Sequence, residues 1–468
     1  MKSWRKAYPS THIFQAIEEG LEAVAGGWIC VSAIEVLERQ PLRKFHYVLL
    51  AITSLIYGLT AMNVMLISVA LPRISAEWSL STPAAGLLAS FGYIGMFLGA
   101  LSSGFIADRI GRKPTMIIMI LIGSVFTGLC GLAPGYEIMA AFRLIAGFGL
   151  GGTLPLPGVY MSEYPPAKYR GRFVGIVETA WVYGAILSVI FGYILIPEYG
   201  WRAAFNAAYI PLTLTPFIAL QVPESIRFLE RRGRIEEIKS IFRRYGLVED
   251  VEGLDLRPQP TQRIGVRRLI SGEYLRRTLI LWMLWAALVY TYHGIFIWLP
   301  SIYADKLGFS IVKSLEWVLI VTLVQVPGYY SAALLLDKVG RKPILAFYLA
   351  VAGIASLLLS TARDIDMILI YSCVISFFNL GAWAGLYAYT PELYPTELRG
   401  TGSGAAASIG RVAGILAPYL TGYLMYISGG ELFYAFLVFA LVHLVAAAIT
   451  GAFGEETKGR KLEEISRI

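Results

Sequence analysis

Gly104-Phe-Ile-Ala-Asp108-Arg109-Ile-Gly111-Arg112-Lys113-Pro114 separates two long apolar runs. A near copy, Ala333-Leu-Leu-Leu-Asp337-Lys-Val-Gly340-Arg341-Lys342-Pro343, stands 229 positions further on and also joins two apolar runs. The residue types suit a tight reversal at a membrane edge. Gly111 and Gly340 tolerate φ > 0. Arg109, Arg112 and Lys113 hold the loop on the side where basic residues collect. Pro114 fits the first turn of the next helix, where its missing N–H costs nothing.

The runs on either side are membrane-length. The chain has 468 residues, of which 56% are hydrophobic and 15% charged. A soluble domain averages about 25% charged residues. Twelve apolar stretches fall near 46–70, 82–106, 115–133, 136–158, 173–197, 202–222, 278–302, 314–336, 344–362, 366–390, 402–428 and 431–453. Each is long enough, at 1.5 Å per helical residue, to cross about 30 Å of hydrocarbon. An all-α protein with twelve transmembrane helices is expected.

The net charge of +8 does not point to nucleic acid, because of where the charge lies. With both termini placed in the cytoplasm, 33 of the 40 Lys and Arg fall on inner segments. The outer loops carry five, and Arg143 and Arg411 lie within spans. This asymmetry orients the chain, termini inside, in a plasma or inner membrane. The three cysteines have no spacing for a metal site or a disulfide framework.

A second motif duplicates with the first. Glu163-Tyr-Pro-Pro166-Ala-Lys-Tyr-Arg170-Gly171 returns as Glu392-Leu-Tyr-Pro395-Thr-Glu-Leu-Arg399-Gly400, again 229 positions on. Two motifs at one offset imply a parallel repeat of two six-span halves. The expected organisation is a cytoplasmic segment 1–45, a first bundle 46–222, a linker 223–277, a second bundle 278–453 and a tail 454–468. Residues 12–40 read as helix lying on the membrane or protein, or else as an unstructured tail. In the linker, Ile235, Ile238, Ile241, Phe242 and Tyr245 share one helical face and predict an amphipathic helix.

These residues resemble the major facilitator superfamily. The Gly-x-x-x-Asp-Arg-x-Gly-Arg-Lys loop is similar to that family's signature loop between its second and third spans. The paired Glu-x-x-Pro-x-x-x-Arg-Gly motifs, Pro223-Glu224-Ser225 and Glu456-Thr457-Lys458-Gly459-Arg460 resemble its sugar-porter-like branch. The resemblance implies two pseudo-symmetric bundles rocking about a central cavity. It further implies that Gly104, Asp108, Arg109, Gly111, Arg112, Glu163, Arg170, Asp337, Gly340, Arg341, Glu392 and Arg399 build a cytoplasmic gate held by ion pairs. Breaking such partly desolvated pairs would set the gap between states. One departure matters. Sugar porters carry a Gln pair around the span 7 glycine, where this chain has Tyr290-Thr-Tyr292-His293-Gly294-Ile-Phe-Ile-Trp298. That pattern looks more like organic-ion and aromatic-acid carriers.

Charged and polar residues inside spans usually face a cavity or a partner. Arg143 stands where the family's arginine often contacts a coupling acid. Asn63 stands near the place of a proton-accepting Asp in proton-coupled relatives, and an Asn cannot take up a proton. Glu178 is the only carboxylate deep within a first-half span. It reads as the proton-carrying or substrate-sensing group, or as one partner of a structural pair. Arg411 reads as a forked partner for a substrate carboxylate, or as the internal partner of Glu178. Tyr292, His293, Gln325, Asn379 and Trp383 complete the expected cavity.

No nucleophile motif, phosphate loop or metal cluster is legible, which disfavours an enzyme or an ATP-driven pump. The expectation is a secondary transporter, working as a monomer in the lipid bilayer. It would move a small polar organic solute, an organic or aromatic acid ahead of a sugar, by alternating access. No cofactor is expected, and the proton is the expected coupling ion. The open alternatives are a sugar carrier, a facilitated-diffusion uniporter and a sensor that binds without transporting.

Overall fold

The computed structural model describes residues 32–38, 40–248, 251, 256, 266–272 and 274–459, without the side chains of Ala167, Val266, Thr396 and Glu397. Most of the helix expected over 12–40, and much of the loop between Val248 and Val266, lie outside the described residues.

A short helix α1 (Ala33–Glu38) precedes six long ones. These are α2 (Lys44–Glu77), α3 (Thr82–Ile110), α4 (Arg112–Leu132), α5 (Tyr136–Glu163), α6 (Lys168–Tyr199) and α7 (Trp201–Gln221). Two linker helices follow, α8 (Ile226–Arg231) and α9 (Ile235–Tyr245). The second half holds α10 (Leu275–Asp305), α11 (Ile311–Val339), α12 (Arg341–Thr361), α13 (Ile365–Glu392), α14 (Thr396–Ile427) and α15 (Phe433–Phe453). Among the described residues, eleven helices are long and apolar enough to cross a bilayer. The twelfth, α14, is 32 residues long and carries Arg399 and Arg411. The architecture is the twelve-helix, two-bundle fold expected.

Small residues set the packing. A Cβ at Gly95 of α3 would lie 2.0 Å from the Leu144 carbonyl of α5, and one at Gly147 would lie 2.0 Å from the Gly92 carbonyl. The two backbones touch, which only small-residue stripes permit. The linker helix forms as its periodicity predicts. α9 buries Ile238 and Phe242, while its charged side faces solvent.

Gly111 (φ 104) and Gly340 (φ 122) both occupy a backbone region that side chains rarely adopt, and each sits between two long helices. In each case a Cβ would also strike a carboxylate, Glu224 at 2.3 Å or Glu456 at 2.5 Å. The repeat is therefore kept at the level of individual atoms.

The halves meet along a seam that is sealed toward one end. Ser68 of α2 donates to the Phe296 carbonyl of α10 at 2.7 Å. Ser90 of α3 donates to the Ile415 carbonyl of α14 at 2.7 Å. A Cβ at Gly86 would lie 2.4 Å from the Pro418 carbonyl, and one at Gly422 would lie 2.4 Å from the Thr82 carbonyl. Toward the face that carries the duplicated loops, a Cβ at Gly158, Gly171, Gly400 or Gly404 would meet nothing within 4 Å.

Candidate functional site

At mid-depth the seam opens into a cavity of ≈ 200 Å³. Long helices from both halves supply its walls. α2 brings Tyr57, α3 brings Tyr93, α6 brings Glu178 and Trp181, α10 brings Trp285, Tyr292 and His293, and α13 and α14 bring Trp383, Tyr387 and Arg411. Of the residues expected in the cavity, Glu178, Tyr292, His293, Trp383 and Arg411 meet here.

The walls are mainly aromatic. Trp285 and Trp383 lie edge to face at 5.6 Å, and Tyr387 packs on both at 5.5 Å. The Trp285 indole N–H is spent on the Thr390 hydroxyl at 3.0 Å, which fixes the ring. Three polar contacts in the cavity cross between halves. The Trp181 Nε1–H donates to the Tyr292 hydroxyl at 3.0 Å. The Tyr93 hydroxyl meets His293 Nδ1 at 2.8 Å. The Tyr57 and Tyr387 hydroxyls approach to 3.5 Å.

Two opposite charges share this apolar space without pairing. Tyr57 donates a hydrogen bond to Glu178 Oε2. Among the described residues, no carboxylate lies within ion-pair distance of Arg411. A desolvated guanidinium with a free fork is a receptor for a planar anion.

The remaining expected residues lie elsewhere. Asn63 is fully buried inside the first half, donating to the Ala208 carbonyl at 3.3 Å and to the Ser124 hydroxyl at 3.4 Å. Asn379 is likewise internal to the second half, with Thr291 and His443 each at 3.0 Å. Both tie spans together instead of lining the cavity, because the neighbouring backbone and hydroxyl groups claim their amides. Arg143 is 2% exposed behind Gly92 and Tyr93, and its Nη2 reaches the Ala89 carbonyl at 3.4 Å. Gln325 lines a separate, smaller cavity.

On the loop face, Arg112 pairs with Glu163, and Ser225 donates to Glu163 Oε2 at 2.5 Å. The backbone N–H groups of Arg112 and Lys113 donate to Glu224 at 2.8 and 3.2 Å. The second half repeats this. Arg341 pairs with Glu392 at 3.0 Å, Thr457 donates to Glu392 at 2.5 Å, and Arg341 and Lys342 N–H donate to Glu456 at 3.0 and 3.2 Å. Glu224 and Glu456 thus cap the N-termini of α4 and α12, where a negative charge is stabilised.

The duplicated acids Asp108 and Asp337 lie in the last turns of α3 and α11 and are exposed. Asp108 meets Arg231 at 3.5 Å, and Asp337 meets Arg341 at 3.2 Å while 87% exposed. Arg109 lies over the exposed Phe105 ring at 4.0 Å, and Gly104 faces open space. Arg170 pairs with Glu38 of α1 at 2.9 Å, and Arg399 Nε donates to the Pro391 carbonyl at 3.0 Å. Each ion pair described on this face joins residues of one half. The acids nearest Arg112 and Arg341 sit on helices of the same bundle.

Several residues escaped the sequence reading. Tyr57, Trp181, Trp285 and Tyr387 resemble the other aromatics in a chain that is 13% Phe, Trp and Tyr. Glu224, Ser225, Glu456 and Thr457 were read as family motifs but not as caps and partners in the loop clusters, which their repeated Glu-Ser and Glu-Thr pairs following each half could have signalled.

Two bundles around a buried polar-aromatic cavity, with duplicated loops on one face, define a membrane transporter of small solutes. The chain belongs to the sugar (and other) transporter family, whose pattern matches residues 39–468. It is 40% identical to the niacin transporter NiaP of Acinetobacter baylyi, over 93% of this chain and 100% of that protein. It is 28% identical to the benzoate transport protein of the same organism, over 88% of this chain and 90% of that protein. The fold superposes on the inward-open xylose transporter XylE from E. coli with TM-score 0.71 at 20% identity. That match covers 90% of this chain and 99% of XylE.

Proposed function

We propose that the protein carries a small aromatic monocarboxylate of the nicotinate type across the plasma membrane, in symport with one proton, as a monomer. The observation that carries this reading is Arg411, a cation without an acidic partner in a cavity walled by Trp and Tyr and sized for a single ring. A carboxylate would take the guanidinium fork, and Trp285, Trp383 and Tyr387 would sandwich the ring. The niacin and benzoate carriers among the relatives handle solutes of this chemistry.

Glu178 supplies the coupling. An ionised Glu178 neutralises Arg411 across the cavity and leaves the empty carrier without net charge there. A substrate carboxylate on Arg411 restores that balance only if Glu178 takes a proton. Both neutral forms can rock through the bilayer, whereas a half-loaded cavity holds a net charge in low dielectric. The stoichiometry is then one proton per carboxylate, and the cycle is electroneutral.

The basic loop face is assigned to the cytoplasm by the distribution of Lys and Arg. The seam, sealed at Ser68, Ser90 and Gly86 and open toward the loops, then corresponds to an inward-facing state. Counterflow of radiolabelled nicotinate in proteoliposomes tests the reading. Competition by benzoate and other aromatic acids, but not by xylose, is the expected result. Exchange of sugars alone would overturn it.

A further inference from the structure

Beyond Tyr292, on the sealed side of the central cavity, lies a second cavity of ≈ 20 Å³. Both halves line it, with Ser68, Ser188, Tyr292, Thr322 and Gln325 as its polar members. Three of these are already satisfied. Ser68 donates to the Phe296 carbonyl at 2.7 Å, Ser188 to Ala185 at 2.7 Å and Thr322 to Val318 at 2.6 Å. Tyr292 accepts from Trp181.

Gln325 is different. It is 1% exposed, and its amide is close enough to the Tyr292 hydroxyl to interact, but neither its oxygen nor its nitrogen is aligned for a hydrogen bond. An unsatisfied buried amide is costly, and such a group asks for an explanation. Its place in the chain gives one. α11 breaks at Val324, four residues ahead of the Gly328 N–H that reaches back to the Val324 carbonyl at 3.3 Å, with Pro327 removing another helical bond. Gln325 therefore stands at a joint in a helix that lines the seam. Tyr292, held by the Trp181 bond that crosses the seam, lines both this cavity and the central one.

We propose that Gln325 forms a transient uncharged subsite on the path between the central cavity and the sealed face. When the seam opens on that side, Trp181 and Tyr292 part and the two cavities join. The amide then offers one donor and one acceptor to the solute's neutral hydrogen-bonding end, such as a ring nitrogen or a protonated carboxyl. An ionised carboxylate is not its ligand, since no charged residue lines this cavity. The inference rests on the aromatic-acid reading above and names a second stop for that substrate.

Nicotinate exchange in oriented proteoliposomes tests it. Gln325→Met should raise the half-saturating nicotinate concentration for entry from the sealed face about fivefold, the loss of one neutral hydrogen bond. The value for entry from the loop face should stay within about twofold, and Ser188→Ala, whose hydroxyl is spent on the Ala185 carbonyl, should leave both values within about twofold. If Gln325→Met does not fold, Gln325→Cys provides the second measurement. A membrane-impermeant methanethiosulfonate applied from the sealed face should label it, and nicotinate should protect it. Equal changes from both faces, or labelling that nicotinate does not slow, would overturn the subsite while leaving the central site intact. A wild-type protein that does not exchange nicotinate would overturn the substrate reading and this subsite together.

Discussion

The Tyr57 hydroxyl donates a hydrogen bond to the carboxylate of Glu178. This joins α2 to α6 at the seam, within 3.5 Å of the Tyr387 hydroxyl from the other half. A proton arriving on Glu178 therefore alters a contact that lies on the boundary between the moving bodies. Glu178→Gln fixes the neutral form. It should retain nicotinate exchange at equal pH on both sides and lose acceleration by an inward proton gradient. Gradient-driven accumulation that survives in this variant would exclude Glu178 as the coupling group.

Arg411 is the second test of the site. Losing the partner of a buried carboxylate costs about 2–5 kcal/mol, so Arg411→Gln should weaken nicotinate binding at least about thirtyfold. Arg411→Lys keeps the charge but not the fork, and should recover part of the loss. Nicotinamide, which has no carboxylate, should be insensitive to both changes. Isothermal titration with the detergent-solubilised protein separates these outcomes.

The two arginine pairs of the first half should differ in weight. Glu163 is 1% exposed beside Arg112, whereas Arg170 and Glu38 are 26% and 35% exposed. Breaking a buried pair costs about 3–5 kcal/mol, and an exposed one contributes about 0–1 kcal/mol. Thermal unfolding should accordingly fall several degrees for Glu163→Gln and barely move for Glu38→Gln. Because these pairs stay within one half, Glu163→Gln should lower stability more than it changes the balance between inward and outward states.

Glu224 gives a pH test outside the membrane. Burial pushes its carboxyl above the ordinary value, against the backbone N–H bonds from Ser225, Arg112 and Lys113 and the nearby Arg112 charge, which favour the ionised form. In the window between the ordinary and the raised value the folded protein binds more protons than the unfolded chain. Stability contributed by this group therefore increases as pH falls through that window and is lost as pH rises. Glu224→Gln cannot titrate, and its unfolding temperature should show a flatter pH profile there than the wild type.

The halves and the two reversals were legible because they are written in runs and repeats. A 229-residue offset survives any uncertainty about helix ends. The lining of the cavity was most legible where a residue type was out of place, as Glu178 and Arg411 are in apolar spans, and Tyr292, His293 and Trp383 were also placed in it. Tyr57 and Trp181 were not, since an aromatic in a membrane helix packs against lipid, a neighbour or a cavity with the same local pattern. Asn63 and Asn379 show the opposite failure. Their polarity is conspicuous in sequence, yet a carbonyl, a hydroxyl or an imidazole on another span takes up the amide nitrogen, while each amide oxygen is left without a partner. That partner is set by helix rotation, which periodicity does not fix.

The seal opposite the loops is built from main-chain oxygens. Serine hydroxyls reach the Phe296 and Ile415 carbonyls, and glycines press on the Pro418 and Thr82 carbonyls. None of these groups ionises near neutrality, and salt screens charges far more than such contacts. A door made this way is indifferent to the acidity and salinity of the surroundings it faces. The exposed Glu77–Arg202 pair joins two helices of the first half and takes no part in that closure.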